Sequence, residues 1–483
     1  MVAALSDPIF RIPRLAANFA LLSGGEMVSK LFALAAFVYL ARILGPADFG
    51  ILEFALAIIF FFTLLVDGGL SQYGAREIAK DKDAAARLTA HVIVMRCLYA
   101  VVAFGLLAIL VMFIDKPWTV KRLILLYGLT LFALPGILSF AFQGYDLMHY
   151  VALASIIRWS IFGTSVFLLI HRPDQTWVVP VIEGAAIACV GVFYLLAFSY
   201  RFGSLRQRIS YKFAFSIFSE ALPMGASELV WALKVYLATV LLGLWIGGAE
   251  VGWFGAAHRI VISLHTFVWL YFFNLLPSIA RCTQGPLGTL CRLEQTSIRL
   301  TAWASIFVGV IATAFAEPMI QILYGSQYHE GVAAFRVLVW LIPLALMSGH
   351  FRYALIAYGQ QRLEFVSSAC GAGLNILLNI FLIPSIGLVG AAWALIASEA
   401  LIWGLTYSFV RYRITHIPIG IPILRPLLGG LVLAATLYLL PPISIWIAGS
   451  SAVAVYSLVL SIMQPKILTH IRALFVHKHS CNS

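Results

Sequence analysis

The chain has 483 residues, of which 62% are hydrophobic and only 11% are charged, and its mean hydropathy is +0.97. Soluble domains carry roughly 25% charged residues, so the composition excludes a soluble protein and predicts a polytopic membrane protein. The formal net charge of +12 comes from basic residues that fall between apolar segments. This placement favours a topological role over nucleic-acid binding.

The first long apolar stretch, residues 24–50, is long enough for a membrane-spanning helix of about 20 residues. Its ionisable residues include Glu26 and Lys30, which lie on one face of a helix because they are one turn apart. Such side chains cost about 2.5–3.5 kcal/mol each at the centre of a span, so they normally face a partner or a wet cavity. A turn is predicted at residues 44–46 (Leu-Gly-Pro).

Hydropathy predicts an all-α integral membrane protein with about fourteen transmembrane helices. No connection between them is long enough to fold as a separate soluble domain, so the function is expected to lie within the membrane. The predicted spans are 18–42, 49–71, 91–114, 120–142, 150–171, 177–200, 218–246, 251–277, 297–324, 332–358, 363–385, 388–410, 420–440 and 443–464.

The distribution of Lys and Arg over the connections predicts the orientation of the chain. If the N-terminus is cytoplasmic, the inside segments carry 20 of these residues and the outside segments carry 5. Both termini are therefore expected in the cytoplasm.

The region around residue 45 is repeated later in the chain. Residues 246–253 (IGGAEVGW) follow the pattern of residues 44–51 (LGPADFGI) at a displacement of 202 residues, which also carries Glu26 onto Glu228. An even number of predicted spans separates the copies, so the repeat is expected to be parallel, about an axis normal to the membrane. We expect an N-terminal six-helix lobe in 1–212 and a second six-helix lobe in 213–414. Two extra helices, forming a C-terminal hairpin, and a cytoplasmic tail are expected in 415–483.

Ionisable residues on the first two spans of each lobe predict a polar channel bounded by spans one, two, seven and eight. Simpler explanations remain open for several of them. Glu53, Asp67 and Arg259 can reach the interface, and His265 can donate to a backbone carbonyl. Glu26 can form a buried structural pair with its neighbour on the next turn. The channel residues are Glu26, Lys30, Glu53, Asp67, Glu228, Lys234, His258, Arg259 and His265.

Two further charged residues, Arg158 and Glu399, lie deep within other predicted spans. The sequence assigns them no role.

The chain lacks the motifs of several enzyme classes. No lysine follows a glycine, which excludes a GxxxxGK[ST] phosphate-binding loop, and HExxH and GxSxG are absent. The six cysteines have no metal-ligand spacing, so free thiols are expected, with no metal and no cofactor. A membrane-embedded glycosyltransferase or ligase needs larger outside loops than these. We therefore expect a transporter and not an enzyme.

A set of residues in the first two spans and the connection after them forms a recognisable signature. Its members are Asn18, Gly24, Lys30, the block 41–50 (ARILGPADFG), residues 67–70 (DGGL) and Arg76-Glu77. Together they resemble the N-terminal region of polysaccharide (O-antigen type) flippases of the multidrug/oligosaccharidyl-lipid/polysaccharide exporter superfamily. Span number, duplication and terminal hairpin extend the resemblance over the whole chain. The related lipid II flippases have an arginine-rich first helix and an R-x-x-G-F-x-R-D type block, from which residues 42–46 (RILGP) depart.

The resemblance implies two six-helix lobes around a central cationic cavity. It also implies movement of an undecaprenyl-pyrophosphate-linked oligosaccharide from the inner to the outer leaflet of the bacterial inner (cytoplasmic) membrane by alternating access. The expected partners are this lipid-linked substrate, the bilayer, and the glycan polymerase and glycosyltransferases of the same route, with no nucleic acid.

Within that cavity, Lys30, Lys234 and Arg259 are expected to contact the pyrophosphate. Trp231, Tyr236 and Trp269 offer faces for stacking on sugars, although packing explains them equally well. The full set of expected substrate-binding residues is Lys30, Lys234, Arg259, His265, Glu26 and Asp67.

Glu228 is the expected ion-coupling residue. Lys30 lies one turn from Glu26 and can hold it charged, whereas Lys234 is six residues from Glu228, roughly 240° around the helix. Glu228 is therefore the better candidate for a group that takes up and releases a proton.

Two other functions remain open. One is a cation-coupled exporter of drugs or metabolites, in which Glu26, Asp67 and Glu228 bind protons or sodium. The other is a membrane scaffold in a glycan-assembly complex, without transport of its own.

Overall fold

The computed structural model describes the backbone of residues 8–203, 205–439 and 445–463, and the side chains of residues 29–203, 205–286, 288–439 and 451–461. Every regular element in these residues is helical, which confirms the predicted all-α class. Short 3-10 helices cover Leu129–Gly136, Pro173–Trp177 and Ser326–Tyr328. The α-helices are α1 (Pro8–Asp67), α2 (Leu70–Lys80), α3 (Ala85–Phe113), α4 (Trp118–Gly128), α5 (Ser139–Gly144), α6 (Met148–Leu169), α7 (Val178–Phe202), α8 (Tyr211–Trp245), α9 (Ala249–Cys282), α10 (Leu287–Ala314), α11 (Ala316–Tyr324), α12 (Gly331–Leu338), α13 (Leu341–Ala357), α14 (Gln361–Arg413), α15 (Gly420–Leu439) and α16 (Ile445–Met463).

Within the described part of the chain, 11 helical segments are long and apolar enough to cross a membrane. The predicted count of fourteen is therefore not confirmed. Two of these segments, 29–80 and 361–413, are 52 and 53 residues long. Segment 29–80 covers part of the first predicted span and all of the second, and segment 361–413 covers the predicted spans 363–385 and 388–410. The last predicted span, 443–464, corresponds to α16, Ile445–Met463.

Both long segments contain a local break in the helix. In α1 the break is at Gly45, with φ 73° and ψ 170°, which confirms the turn predicted from residues 44–46. In α14 the break is at Ile386 and Gly387, and Gly387 has φ 57°. Glycine adopts these positive φ values without the steric cost that a Cβ would add. Gly247, the repeat equivalent of Gly45, also has a positive φ, of 78°.

The chain divides into two compact units, residues 1–256 and 257–483, with the division inside α9. The predicted lobe boundary at residue 212 remains a prediction.

In the first unit, α1 is the central element and packs against α3, α4, α6 and α8. Its part before Gly45 packs on α6, where the rings of Phe37 and Phe162 lie 5.5 Å apart. Its part after Gly45 lies along α8, where Phe60 and Tyr236 lie 4.2 Å apart. An aromatic core around Phe140, Phe142, Tyr194 and Phe198 holds α2, α3, α5 and α7 together.

Glycines bring the two copies of the repeated motif into backbone contact. A Cβ on Gly50 would meet the backbone of Gly248 and of Gly252, and a Cβ on Gly252 would meet the backbone of Pro46. At the displacement of 202 residues, Pro46 corresponds to Gly248 and Gly50 corresponds to Gly252. The contact is therefore reciprocal between equivalent positions of the motif.

In the second unit, α10 and α13 form the centre, with α14 against α13 and α15 against α10. Leu290, Ile298, Met347, Phe351 and Val410 are buried between these helices. The helix α16 is fixed to α10 by the Tyr456 hydroxyl, which donates to the Trp303 carbonyl at 2.6 Å. The two C-terminal helices α15 and α16 lie where the sequence predicts them.

Candidate functional site

The first unit has a polar cluster where α1 ends and α2 begins. Gly68 and Gly69, with φ 54° and 80°, turn the chain between the two helices. Asp67, the last residue of α1, accepts a hydrogen bond of 2.7 Å from the Ser71 hydroxyl and forms an ion pair with Arg96 of α3. The turn therefore places a carboxylate of one span beside a guanidinium of the next.

Arg96 is the buried centre of this cluster, with only 4% of its side chain exposed. Besides Asp67 it donates to the Ile137 carbonyl at 2.8 Å and to the Ser71 hydroxyl at 2.6 Å. Its guanidinium also lies over the Phe140 ring, 5.2 Å from the centroid. The sequence analysis did not single out Arg96, the residue that compensates the charge of Asp67.

The second part of the cluster connects α2 with α8. Gln72 donates to Glu228 at 2.7 Å, and Arg76 forms an ion pair with Glu220 at 3.3 Å. The helices approach closely here, because a Cβ on Gly225 would lie 2.8 Å from the Gly68 carbonyl carbon. Asp67 and Arg96 also act electrostatically on Glu228. The structure thus brings the predicted Asp67 and Glu228 into one polar cluster, in which Glu228 is hydrogen-bonded to a neutral amide.

The other predicted residues of the first unit lie on α1 and α8. Lys30 on α1 and Lys234 on α8 are both half-buried. The Trp231 ring lies 6.0 Å from Phe60 and 6.1 Å from Tyr236, so two of the three predicted stacking residues belong to one aromatic group. The side chain of Glu26 lies outside the described residues, and so does its predicted pair with Lys30.

Arg259 and His265 belong to the second unit, on α9, where both are half-buried. The neighbouring His258 is buried, with 7% exposure. The third predicted stacking residue, Trp269, is on the same helix and is 43% exposed.

Two charged residues that the sequence left unassigned have partners in the structure. Arg158 of α6 forms an ion pair with Glu183 of α7. Glu399 of α14 accepts a hydrogen bond from the Ser348 hydroxyl of α13. Both are contacts between different helices, so spacing along one helix could not reveal them.

The second unit also contains a fully buried pair that the sequence prediction missed. Glu294 of α10 and His350 of α13 are both 0% exposed, and the His350 Nδ1 atom lies 2.7 Å from the Glu294 carboxylate. The predicted span began only at residue 297, whereas α10 begins at Leu287, so Glu294 was assigned to a connection. A histidine at the middle of the apolar span 332–358 was the available signal.

The second unit further has a half-open cavity of about 520 Å³ among α10, α12, α13, α14 and α15. Its lining is apolar apart from Ser305 and one charged residue, Arg336. Trp340, Trp393 and Trp403 form part of its walls.

Known proteins resemble this chain over most of its length. The model of a family described as "Polysaccharide biosynthesis protein" matches residues 15–283. The putative O-antigen transporter of Escherichia coli (strain K12) is 23% identical over 405 residues, which covers 79% of this chain and 93% of that protein.

Two solved structures show the same fold. The lipid II flippase MurJ in an inward closed conformation matches with a TM-score of 0.77 at 15% identity, covering 93% of this chain and 99% of MurJ. An inward-facing multidrug resistance MATE family transporter of the MOP superfamily matches with a TM-score of 0.67 at 14% identity, covering 80% of this chain and 94% of that one. Because the family model covers more than half of the sequence, the chain belongs to the polysaccharide biosynthesis protein family, as the block 41–50 predicted.

Proposed function

We propose that this protein is a flippase. It moves an undecaprenyl-pyrophosphate-linked oligosaccharide from the inner to the outer leaflet of the bacterial cytoplasmic membrane by alternating access. The observation that carries the proposal is the presence of half-buried ionisable groups on helices long and apolar enough to span the membrane, namely Lys30 and Asp67 on α1 and Glu228 and Lys234 on α8. Such groups mark substrate and ion pathways. Family membership and the printed name of the Escherichia coli relative support a glycan substrate.

The proposal includes the architecture of fourteen membrane crossings that the sequence predicts. A helix of 52 residues would be about 78 Å long, more than twice the thickness of the hydrocarbon core. We therefore propose that segments 29–80 and 361–413 each cross the membrane twice, with their turns at Gly45 and Gly387. Counting α16 as a span then gives fourteen crossings, with both termini in the cytoplasm. A tag after Cys481 that is labelled only from outside intact cells would contradict this orientation.

The reciprocal contact between Gly50 and Gly252 supports the proposed parallel repeat. In an interface with two-fold symmetry, equivalent residues make equivalent contacts, and Pro46 and Gly248 complete that pattern. We propose lobes at 1–212 and 213–414, whose first two spans meet at this glycine contact.

The proposed substrate contacts follow from charge. Lys30, Lys234, Arg259 and His265 would bind the pyrophosphate, because an anionic headgroup needs cationic partners in a low-dielectric path. Asp67 would act through Arg96, its ion-pair partner. The apolar cavity of about 520 Å³ in the second unit suits part of a polyprenyl chain.

The test is deletion of the gene in a glycan-producing host, followed by lipid extraction and assay of which leaflet holds the lipid-linked oligosaccharide. We expect the oligosaccharide to accumulate on the cytoplasmic side, and the wild-type gene to restore export. The double variant K234A/R259A should insert normally, since losing a charge in a span removes an insertion cost, but it should not restore export. Normal surface glycan in the deletion strain would overturn the proposal.

A cation-coupled exporter of drugs or metabolites is the second candidate. It is favoured by Glu228, whose hydrogen-bond partner Gln72 is neutral, so that the carboxylate is a candidate to bind a proton or sodium. Drug accumulation in the deletion strain with unchanged surface glycan would support this candidate against the flippase. A non-transporting scaffold would instead leave the leaflet distribution of the lipid unchanged while glycan polymerisation fails.

A further inference from the structure

The buried pair of Glu294 and His350 has a third member, Thr301 of α10. The Thr301 hydroxyl oxygen lies 3.0 Å from the His350 Nε2 atom, on the side of the ring opposite Glu294. The same oxygen lies 2.9 Å from the Ser297 carbonyl oxygen, one turn back on its own helix. Thr301 is 6% exposed. The three residues therefore form a hydrogen-bonded chain that joins α10 and α13 inside membrane-spanning segments.

We infer that Glu294, His350 and Thr301 form a proton-binding site. In the unloaded state, His350 is neutral, its Nδ1–H donates to the Glu294 carboxylate, and its Nε2 accepts from the Thr301 hydroxyl. A proton from water then adds to the pair. In the loaded state, Nε2–H donates to the Thr301 oxygen, and the Thr301 hydroxyl rotates to donate to the Ser297 carbonyl. The other ring nitrogen and the Glu294 oxygen share the remaining proton.

This arrangement can be stable both with and without the additional proton, because a hydroxyl both donates and accepts hydrogen bonds. Thr301 has an acceptor within reach in either state, so adding the proton breaks no hydrogen bond without replacing it. The charge of the site changes from −1 to 0 on loading.

The described packing fits the loaded state. Within the part of the chain that the structure describes, the second oxygen of Glu294 has no hydrogen-bond partner. A buried acceptor without a partner is costly on a net anion and much less so on a neutral pair. Release of the proton should therefore require this part of the helix interface to open to water, which connects the proton count to conformation.

The ionisable groups on the helices around this site have positions or partners of their own. From α9, the Tyr271 ring faces His350 at 6.2 Å and its hydroxyl is bonded to Ser297. The carboxylates of α14 are engaged elsewhere on α13, Glu364 by Arg352 and Glu399 by Ser348. Of the other helices against α10, α12 has Arg336 at the apolar cavity and α15 has Arg425 and Tyr438, both exposed. Glu317 of α11 lies 3.6 Å from His329, and the Tyr456 hydroxyl of α16 donates to the Trp303 carbonyl. On α10 itself, Arg292 is exposed and Arg299 is half-buried.

Proton binding is tested on the purified full-length protein by infrared difference spectroscopy during a pH titration. We expect the carboxylic-acid C=O absorption that grows as the pH falls to contain a component that is missing in E294Q and retained in E228Q. T301V removes a hydrogen bond from both states, but the bond made by the protonated pair is the stronger of the two. The midpoint pH of this component should therefore fall by about one unit, a tenfold weaker affinity.

The matched control is T313V, because Thr313 donates to its own helix backbone on α10 at 2.7 Å in the same way but touches no histidine. T313V should leave the midpoint unchanged, and T301S should restore it. If E294Q does not fold, the comparison of T301V, T301S and T313V still tests the proposed proton-binding site. Equal midpoints in T301V and T313V, or an unchanged carboxylic-acid absorption in E294Q, would contradict it.

Use of this proton to drive transport rests on the proposed function. In proteoliposomes that carry lipid-linked oligosaccharide, E294Q should make transport insensitive to a pH gradient. Unchanged sensitivity would overturn the coupling while the spectroscopic result stands. A site that titrates in a protein whose deletion leaves the glycan lipid evenly distributed would refute the flippase and not the proton site.

Discussion

The ion pair between Asp67 and Arg96 gives a quantitative prediction. The side chains are 19% and 4% exposed, so both charges are largely removed from solvent. Arg96→Met leaves Asp67 with Ser71 as its remaining described hydrogen-bond donor. Removal of one partner of a buried pair costs about 3–5 kcal/mol, because the remaining charge is uncompensated. The double variant R96M/D67N removes both charges, and we expect it to regain most of that loss.

The assay is reversible unfolding in mixed micelles, followed by circular dichroism, which gives a free energy of unfolding for each variant. The matched control is the pair Arg76–Glu220, whose side chains are 43% and 54% exposed. R76M should change the free energy of unfolding by about 0–1 kcal/mol, as exposed pairs do. A cost below about 1 kcal/mol for R96M, or a double variant no more stable than R96M, would refute the reasoning from burial.

Two further predictions concern packing and coupling. Gly50→Ala and Gly252→Ala should each lower the free energy of unfolding by about 1–3 kcal/mol, because each Cβ would meet backbone atoms of the other motif copy. Gly105→Ala, whose Cβ would meet nothing within 4 Å, should be neutral or stabilise by up to about 1 kcal/mol in the same assay; equal effects at all three positions would contradict the contact. Glu228→Gln should reduce the response of transport to a collapsed pH gradient, whereas Glu220→Gln, an exposed carboxylate on the same helix, should leave it unchanged; a parental response in Glu228→Gln would remove this residue from the coupling mechanism.

The positions of the helices could be predicted from the sequence because the bilayer imposes one strong requirement. Each apolar run must be long enough to cross the hydrocarbon and must end at polar or turn-forming residues. The predicted spans 150–171 and 420–440 accordingly match α6 and α15 to within a few residues. The break at Gly45 was predictable for a local reason as well, since Gly-Pro is a turn signal within an apolar run.

The partners of the ionisable residues could not be predicted, because they come from other helices. Asp67 and Arg96 are 29 residues apart, and Glu294 and His350 are 56 residues apart. Periodicity identifies neighbours on the same helix at three and four residues, but the packing of helices decides which faces meet. Glu228 illustrates this limit. Its spacing from Lys234 on the same helix was the basis of the prediction, but its observed hydrogen-bond partner is the Gln72 amide of another helix.

Five carboxylates on membrane-spanning helices fall into two kinds according to the partners that the structure shows. Asp67, Glu183 and Glu364 are each paired with an arginine, which remains protonated at every physiological pH. A carboxylate in such a pair is compensated without a proton, and each of the three pairs joins two helices. Glu228 and Glu294 are instead bonded to an amide and to an imidazole. Neither of these partners carries a fixed positive charge, so a proton is what can neutralise the carboxylate in the membrane. Proton coupling in this protein should therefore be sought at Glu228 and Glu294 before any of the arginine-paired positions.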